Sequence, residues 1–160
     1  MPWEKPYKPP HNRRLDGQLY QQPGRICFIT IRAYLNKSPF LNRLINEMII
    51  NILNEEQKRL HCIIYTYCLM PDHVHFMISP EEGYSVLEFA NQYKGKTTNR
   101  SWDFGWKGKL WQPRFFDHII RSDESLNKIA KYILNNPVRK ELADSTADWE
   151  WSGQMNPFPM

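Results

Sequence analysis

Two β-rich runs, HCIIYTYCLM at 61–70 and HVHFMIS at 73–79, are separated only by Pro71-Asp72. Both are rich in β-branched and aromatic residues, which suit a pleated, half-buried surface. Proline cannot donate to a strand ladder, so the chain must break at Met70-Pro71-Asp72. A gap that short leaves room only for a hairpin, and a hairpin joins antiparallel neighbours. An antiparallel pair in mid-chain is therefore the fixed point around which the remaining segments must arrange.

Those segments alternate in type. RICFITIRAY at 25–34 reads as a strand. Ser38-Pro39 opens a helix in which Leu41, Leu44, Ile45, Met48, Ile49, Ile52 and Leu53 recur at steps of three and four, forming one apolar stripe. Lys58 and Arg59 near its end suit the negative pole of the helix dipole. Residues 84–101 form a second helix, with Tyr84, Leu87, Phe89, Ala90 and Tyr93 leading into a basic end. WQPRFFDHII at 111–120 reads as a fourth strand. Ser122 is expected to cap a third helix, with Asp123 and Glu124 in its first turn, running to about Asn136 because Pro137 follows. The order β-α-β-β-α-β-α predicts an α+β fold of the ferredoxin-like, split β-α-β type. Its four-stranded antiparallel sheet carries helices on one face, plus a C-terminal helix.

The domain spans 25–143. Residues 1–24 hold five of the twelve prolines and read as a basic arm, and 144–160 as an irregular tail. With 160 residues, 41% of them hydrophobic, the chain can bury one core. No apolar run approaches the roughly 18 residues that span a bilayer, so a membrane protein is excluded. The N-terminal residues have no apolar stretch of signal-peptide type, so a cytoplasmic, nucleoid-associated location is expected. Cys27, Cys62 and Cys68 are odd in number and lack C-x-x-C spacing, which fits a reducing compartment.

Three groups of residues could carry chemistry. His73 and His75 lie two apart in a strand, so their imidazoles point to one face, while Val74 and Phe76 point to the other. Such a pair can converge on one ion or be two ordinary histidines on a polar strand face. Tyr132 and Asn136 lie one turn apart on the flank of the third helix, off its apolar stripe. A flanking tyrosine is ordinarily a surface ring, and an asparagine before proline is ordinarily a helix stop. Between 94 and 121, seven cations, among them Lys94, Lys96 and Arg100, face two acids and are interleaved with six Trp and Phe residues. Basic residues bind phosphates and flat rings stack on bases, but a solvated loop before a core strand would read the same way. Asp72 is expected to point away from the histidine face as a turn residue. His61 and His118 are expected in strands, at core or edge positions.

LMPDHVHFMIS followed by KYILNNPVRKEL resembles the HUH single-tyrosine transposases, the IS200-like family. WQPRFFDHIIRSDESLNKIAKYILNNPV and the arm with Arg13-Arg14 resemble its REP-associated tyrosine transposase branch. The resemblance implies that His73 and His75 hold a divalent metal, magnesium or manganese, with Asn136 as third ligand. It implies that Tyr132 attacks a phosphodiester of single-stranded DNA, forming a 5′-phosphotyrosine and a free 3′-hydroxyl. It also implies recognition of hairpin DNA by a protein that is a monomer, with a helix-exchanging dimer as the alternative. Arg13, Arg14, Lys94, Lys96 and Arg100 are the expected phosphate contacts. Two rivals share parts of this pattern. One is a non-catalytic nucleic-acid-binding module of the same fold, although the RNP1 pattern of RNA-recognition domains is absent. The other is a small metallohydrolase that activates water.

Overall fold

The computed structural model describes residues 17–121 and 123–159. Five strands form one antiparallel sheet: β1 (Cys27–Arg32), β2 (Cys62–Met70), β3 (His73–Pro80), β4 (Phe116–Ile119) and β5 (Ser152–Gln154), in the order β4-β1-β3-β2-β5. The first four keep the split β-α-β order. The helices are α1 (Arg43–Arg59), α2 (Val86–Ser101), α3 (Leu126–Leu134) and the short α4 (Asn136–Arg139). Among the described residues no helix is long and apolar enough to cross a membrane.

The period-two pattern divides the core between the two faces of the sheet. Ile29, Ile31, Val74, Phe76, Ile78 and Leu69 point to one face, where Ile45, Ile49, Ile52 and Leu53 of α1 and Phe89 and Tyr93 of α2 cover them. Phe28, Met77, Cys68 and Met70 point to the other, where Ile129, Ala130 and Ile133 of α3 cover only part of the surface. The mixed character of β3 follows from this division. Val74, Phe76 and Ile78 enter the α1–α2 core, while on the other face His73 and His75 are followed by Met77 in the α3 layer and by Ser79, bonded to the Tyr65 hydroxyl at 2.7 Å.

Several elements depart from the sequence expectation. α1 starts at Arg43, not at Ser38-Pro39. Pro39–Leu41 make a 3-10 turn, and the Asn42 Oδ1 then accepts from the Leu44 and Ile45 amides at 2.9 and 3.3 Å. Leu41 and Leu44 consequently lie outside the buried stripe and are exposed. β4 is four residues, not ten. Pro113 has no N–H to give, and only Trp111 makes an isolated bridge, to Ala33. α3 starts later than expected, capped by Ser125, whose Oγ accepts from the Lys128 amide at 3.3 Å. It also ends earlier, at Leu134, and Pro137 falls in the first turn of α4, where a missing N–H costs nothing.

Against the expectation of an irregular tail, residues 144–159 hold a fifth strand, Ser152–Gln154, and side-chain anchors on either side of it. β5 pairs with β2, the Trp149 Nε1 donates to the Leu69 carbonyl at 2.9 Å, and the Asn156 Nδ2 donates to the Ile64 carbonyl at 2.7 Å. These contacts occupy backbone groups that an edge strand would leave open. His61 lies in a left-handed turn before β2, not in a strand. It stacks on Tyr84 with ring centroids 4.5 Å apart.

A buried carboxylate with two solvent-reaching cations joins α1 to α2. The fully buried Glu56 carboxylate accepts from Arg59 at 2.6 and 3.0 Å and from the Lys96 Nζ at 3.0 Å. The Arg59 bond first, and the Lys96 bond after it, hold the Glu56 carboxyl below the usual carboxylate range against the opposing effect of burial. A carboxylate depressed in this way stabilises the fold above its unfolded titration point of about 4.3 and stops doing so as pH falls through its folded value. Glu56→Gln should therefore cost about 2 kcal/mol in urea unfolding at pH 7, the range for hydrogen bonds to a charged group. The loss should shrink as the pH approaches 3. An equal deficit at both pH values would rule out the charge as its source.

Candidate active site

β3 begins directly after the Pro71-Asp72 turn, so its first outward-facing residues are His73 and His75. The antiparallel register sets His73 beside Arg32 and Met70, and His75 beside Thr30 and Cys68. The two imidazoles converge, with Nε2 to Nε2 3.0 Å apart. Each outer nitrogen has a partner. His75 Nδ1 lies 2.8 Å from the Thr30 Oγ1, and His73 Nδ1 lies 2.6 Å from the Asp72 Oδ1. The Asp72 carboxylate thus turns back onto the histidine face, against the expectation that it points away. A residue in a turn is not bound by strand alternation, so the parity argument does not reach it.

The carboxylate fixes one tautomer. Asp72 can only accept, so a neutral His73 carries its hydrogen on Nδ1 and presents a bare Nε2. The Thr30 hydroxyl can donate or accept, so His75 can present Nε2 either with or without its hydrogen. Burial pushes the His73 pKa down, and Asp72 only partly offsets it. Burial, then the neighbouring His73, Arg32 and Arg139, push His75 well below the ordinary histidine range. The bond to His73 lowers Asp72 in turn. Burial of both rings therefore outweighs Asp72 and favours a neutral pair.

The other half of the site comes from the end of α3. Tyr132 sits at the edge of the α3 stripe, where its ring packs beside the apolar layer and stays partly exposed. The break at Asn135 and the start of α4 bring Asn136 inward, where it is buried with its Nδ2 3.3 Å from the His73 Nε2. Arg139 folds back over the same turn, with its guanidinium 3.8 Å from the centroid of the Tyr132 ring. His73, His75, Tyr132 and Asn136 line one cleft of about 690 Å3, together with Thr30, Arg32, Arg139 and Lys140. Phe28, Phe116 and His118 extend it over the part of the sheet that α3 leaves open.

Two neutral imidazoles at this spacing suit a divalent cation, since ligands at right angles and about 2.1 Å from an ion stand about 3 Å apart. Asn136 could add an amide oxygen by turning its side chain over. Among the described residues no group of three or more His, Cys, Asp and Glu side chains forms a cluster of metal-binding type. A two-imidazole, one-amide set leaves several coordination positions for water and substrate oxygen, and imidazole favours manganese over magnesium.

Of the basic residues expected to bind DNA, Lys94, Lys96 and Arg100 do not line this cleft. Lys96 is tied to Glu56, and the Lys94 Nζ donates to the Gln112 carbonyl at 2.7 Å. Arg100 is exposed on the last turn of α2, 4.0 Å from Asp103. Arg13 and Arg14 lie outside the described residues. Sequence reading passed over Thr30, Arg32, Arg139 and Lys140. A signal for the first two exists, since Phe28, Thr30 and Arg32 alternate as one partly polar face of β1. For Arg139 the signal is weak: it lies seven residues after Tyr132, on the same face of a continuous helix, but two turns away and beyond the break that Pro137 implies.

The family described as Transposase IS200 like matches residues 27–136, from the first residue of β1 to Asn136. The chain belongs to the IS200-like transposase family. Its relatives include a Haemophilus influenzae protein named as a candidate REP-associated tyrosine transposase, 26% identical over 145 residues, 81% of this chain and 79% of that protein. A REP-associated tyrosine transposase of Escherichia coli K12 is 24% identical over 136 residues, 83% of this chain and 78% of that one. A solved structure of a REP-associated tyrosine transposase bound to a REP hairpin superposes with a TM-score of 0.73 at 24% identity, over 89% of this chain and 81% of that one. The ferredoxin-like architecture of this IS200-like transposase is thus that of a solved relative. Transposases are DNA-processing enzymes, and one cleft of this chain gathers His73, His75, Tyr132 and Asn136.

Proposed function

We propose that this IS200-like transposase cuts and rejoins single-stranded DNA beside a hairpin, with Tyr132 as nucleophile and a divalent cation held by His73, His75 and Asn136. The observation that carries the reading is the meeting of an imidazole pair from β3, a phenol from α3 and an amide from α4 around one cation-lined cleft. The REP hairpin bound to the solved relative supports the choice of substrate.

The Tyr132 Oη forms a bond to phosphorus while the P–O3′ bond breaks. The phenol gives up its proton, and the departing 3′-oxygen takes one up. The product is a phosphotyrosine on the 5′ end of one fragment and a 3′-hydroxyl on the other. Because one phosphoester replaces another, a new 3′-hydroxyl can reverse the step without a nucleotide. A bound divalent cation would withdraw charge from the phosphate as the trigonal-bipyramidal arrangement develops. The chain's own residues do the rest. Arg32 and Lys140 place positive charge against the strand, Asp72 and Thr30 orient the imidazoles, and α3 shields one side of the cleft from water.

Hairpin recognition falls to the surface where β1 leaves the sheet. Ala33 and Tyr34 are bonded there to Asp72 and Leu110, which puts the 102–110 loop at the histidine end of the sheet. That loop offers Trp102, exposed, and Trp106, with the Lys37 Nζ 6.0 Å from the Trp106 ring. Arg100, Arg13 and Arg14 remain proposed phosphate contacts, whereas Lys94 and Lys96 serve the fold.

A pool of 3′-labelled stem-loops with randomised single-stranded flanks tests the reading in manganese. The label should enter a denaturant-stable adduct with the protein, because the 3′ fragment carries the phosphotyrosine. Binding that persists in EDTA with no adduct would instead mark a non-catalytic module, and cleavage without an adduct a metallohydrolase. Arg32→Gln with Lys140→Gln should weaken binding across the whole pool and reduce the salt slope by about 1.4, from roughly 0.7 per single-strand phosphate contact. An unchanged slope would remove both from the interface.

A further inference from the structure

We propose that Arg139 is a positioning residue that holds the Tyr132 nucleophile in place while the neighbouring Asn136 amide is free to change partners. The inference rests on the transesterase reading and assigns a role to a residue that reading does not use. Three contacts carry it. The Arg139 Nη1 donates to the Tyr132 carbonyl at 2.8 Å, the Nη2 donates to the Asn136 Oδ1 at 3.2 Å, and the guanidinium lies over the Tyr132 ring at 3.8 Å.

The need for such a residue arises from the end of α3. The last carbonyls of a helix have no partner within it. A continuing helix would give the Tyr132 carbonyl the Asn136 N–H, but α3 stops at Leu134, the Asn135 N–H reaches back to Lys131, and α4 starts afresh at Asn136. The Tyr132 carbonyl therefore receives its hydrogen bond from a side chain seven residues on. The same planar group covers the ring face, where a cation is attracted to the π-cloud. Its second arm reaches the Asn136 amide oxygen. Arginine has only donors, so the amide must present oxygen to it and Nδ2 to the bare His73 Nε2. A continuous array results, from Asp72 through His73, Asn136 and Arg139 to Tyr132. Lysine cannot reproduce it, because an ammonium has no rigid fork to hold two oxygens while stacking on a ring.

The array also relates the two arrangements of the site. When the Asn136 oxygen turns towards a cation, the Nη2 of Arg139 loses its acceptor and is released towards the cleft. The bond to the Tyr132 carbonyl and the stack on its ring stay, so the phenol keeps its place.

The test uses the full chain with the stem-loop pool, in single-turnover adduct formation, with each variant measured well below its own melting temperature. R139Q should slow adduct formation by about 30- to 100-fold, the scale of a misplaced reacting group. The hairpin Kd should stay within about threefold. R139K, which keeps the charge and serves as the variant most certain to fold, should recover less than about a tenth of the lost rate. Manganese binding, followed by the EPR signal of the free ion, should stay within about threefold in both variants because His73 and His75 are intact. Full activity in R139K would overturn the inference, as would a rate loss matched by an equal loss in hairpin Kd. Adduct formation at the wild-type rate in R139Q would overturn it alone. No adduct in the wild-type chain would remove the transesterase reading and this inference together.

Discussion

Tyr132→Phe is expected to abolish the DNA adduct while leaving hairpin binding within about twofold. The substitution removes one oxygen. The ring keeps its contacts with the apolar layer under α3 and with Arg139, because neither the stack nor the backbone bond uses the hydroxyl. The fold should therefore be unaltered, and the residual rate should fall by at least about 10^4-fold, as when an enzyme loses its nucleophile outright. The measurement is a denaturing gel of the 3′-labelled pool in manganese. A labelled adduct in this variant would show that another residue attacks. Tyr65 and Tyr93 are poor alternatives, since both rings are buried and their hydroxyls bonded to Ser79 and to the Ile49 carbonyl.

His75→Ala and His73→Ala should each remove the manganese dependence. The rest of the proposed ligand set is a single amide, so loss of one imidazole leaves half a site. Manganese affinity should fall by more than about 100-fold, the upper end of what loss of an outer-shell partner costs. Free-ion EPR gives that number without any turnover. The pH dependence has a definite sign. Burial holds both histidines below the ordinary value of about 6.5, so the folded chain stays neutral at the pair while the unfolded chain is already taking up protons. The unfolded state binds more protons in that window, and stability of the metal-free chain must fall as pH drops below about 6.5. The double variant His73→Ala/His75→Ala should lose this acid sensitivity. An unchanged pH profile of unfolding would place its origin elsewhere.

The elements differ in how far sequence reaches them, and the reason is range. The central hairpin and the parity of His73 and His75 depend only on strand alternation and one proline, and both stand in the structure where the pattern put them. The α1 stripe from Ile45 to Leu53 follows from helical period and is buried as expected. Its start was misplaced because Asn42, an unremarkable residue in the pattern, accepts two amide bonds that Ser38 does not. The third helix shows the same effect, with Ser125 in the capping role. β5 is three residues long, too short for any period, and exists because the open edge of β2 needed partners.

By itself the sequence determined the order of elements, the shared face of the two histidines and the family to which the chain belongs. Each of these is written in spacing along the chain. Tertiary structure alone decided that α3 lies over half of one sheet face and leaves the other half as a cleft. It alone turned Asp72 onto His73, committed Lys96 to a buried carboxylate and folded Arg139 over Tyr132. Those outcomes depend on where turns and helix ends aim side chains, and on which buried polar groups must find a partner. A pattern of periods two and 3.6 carries no information about either.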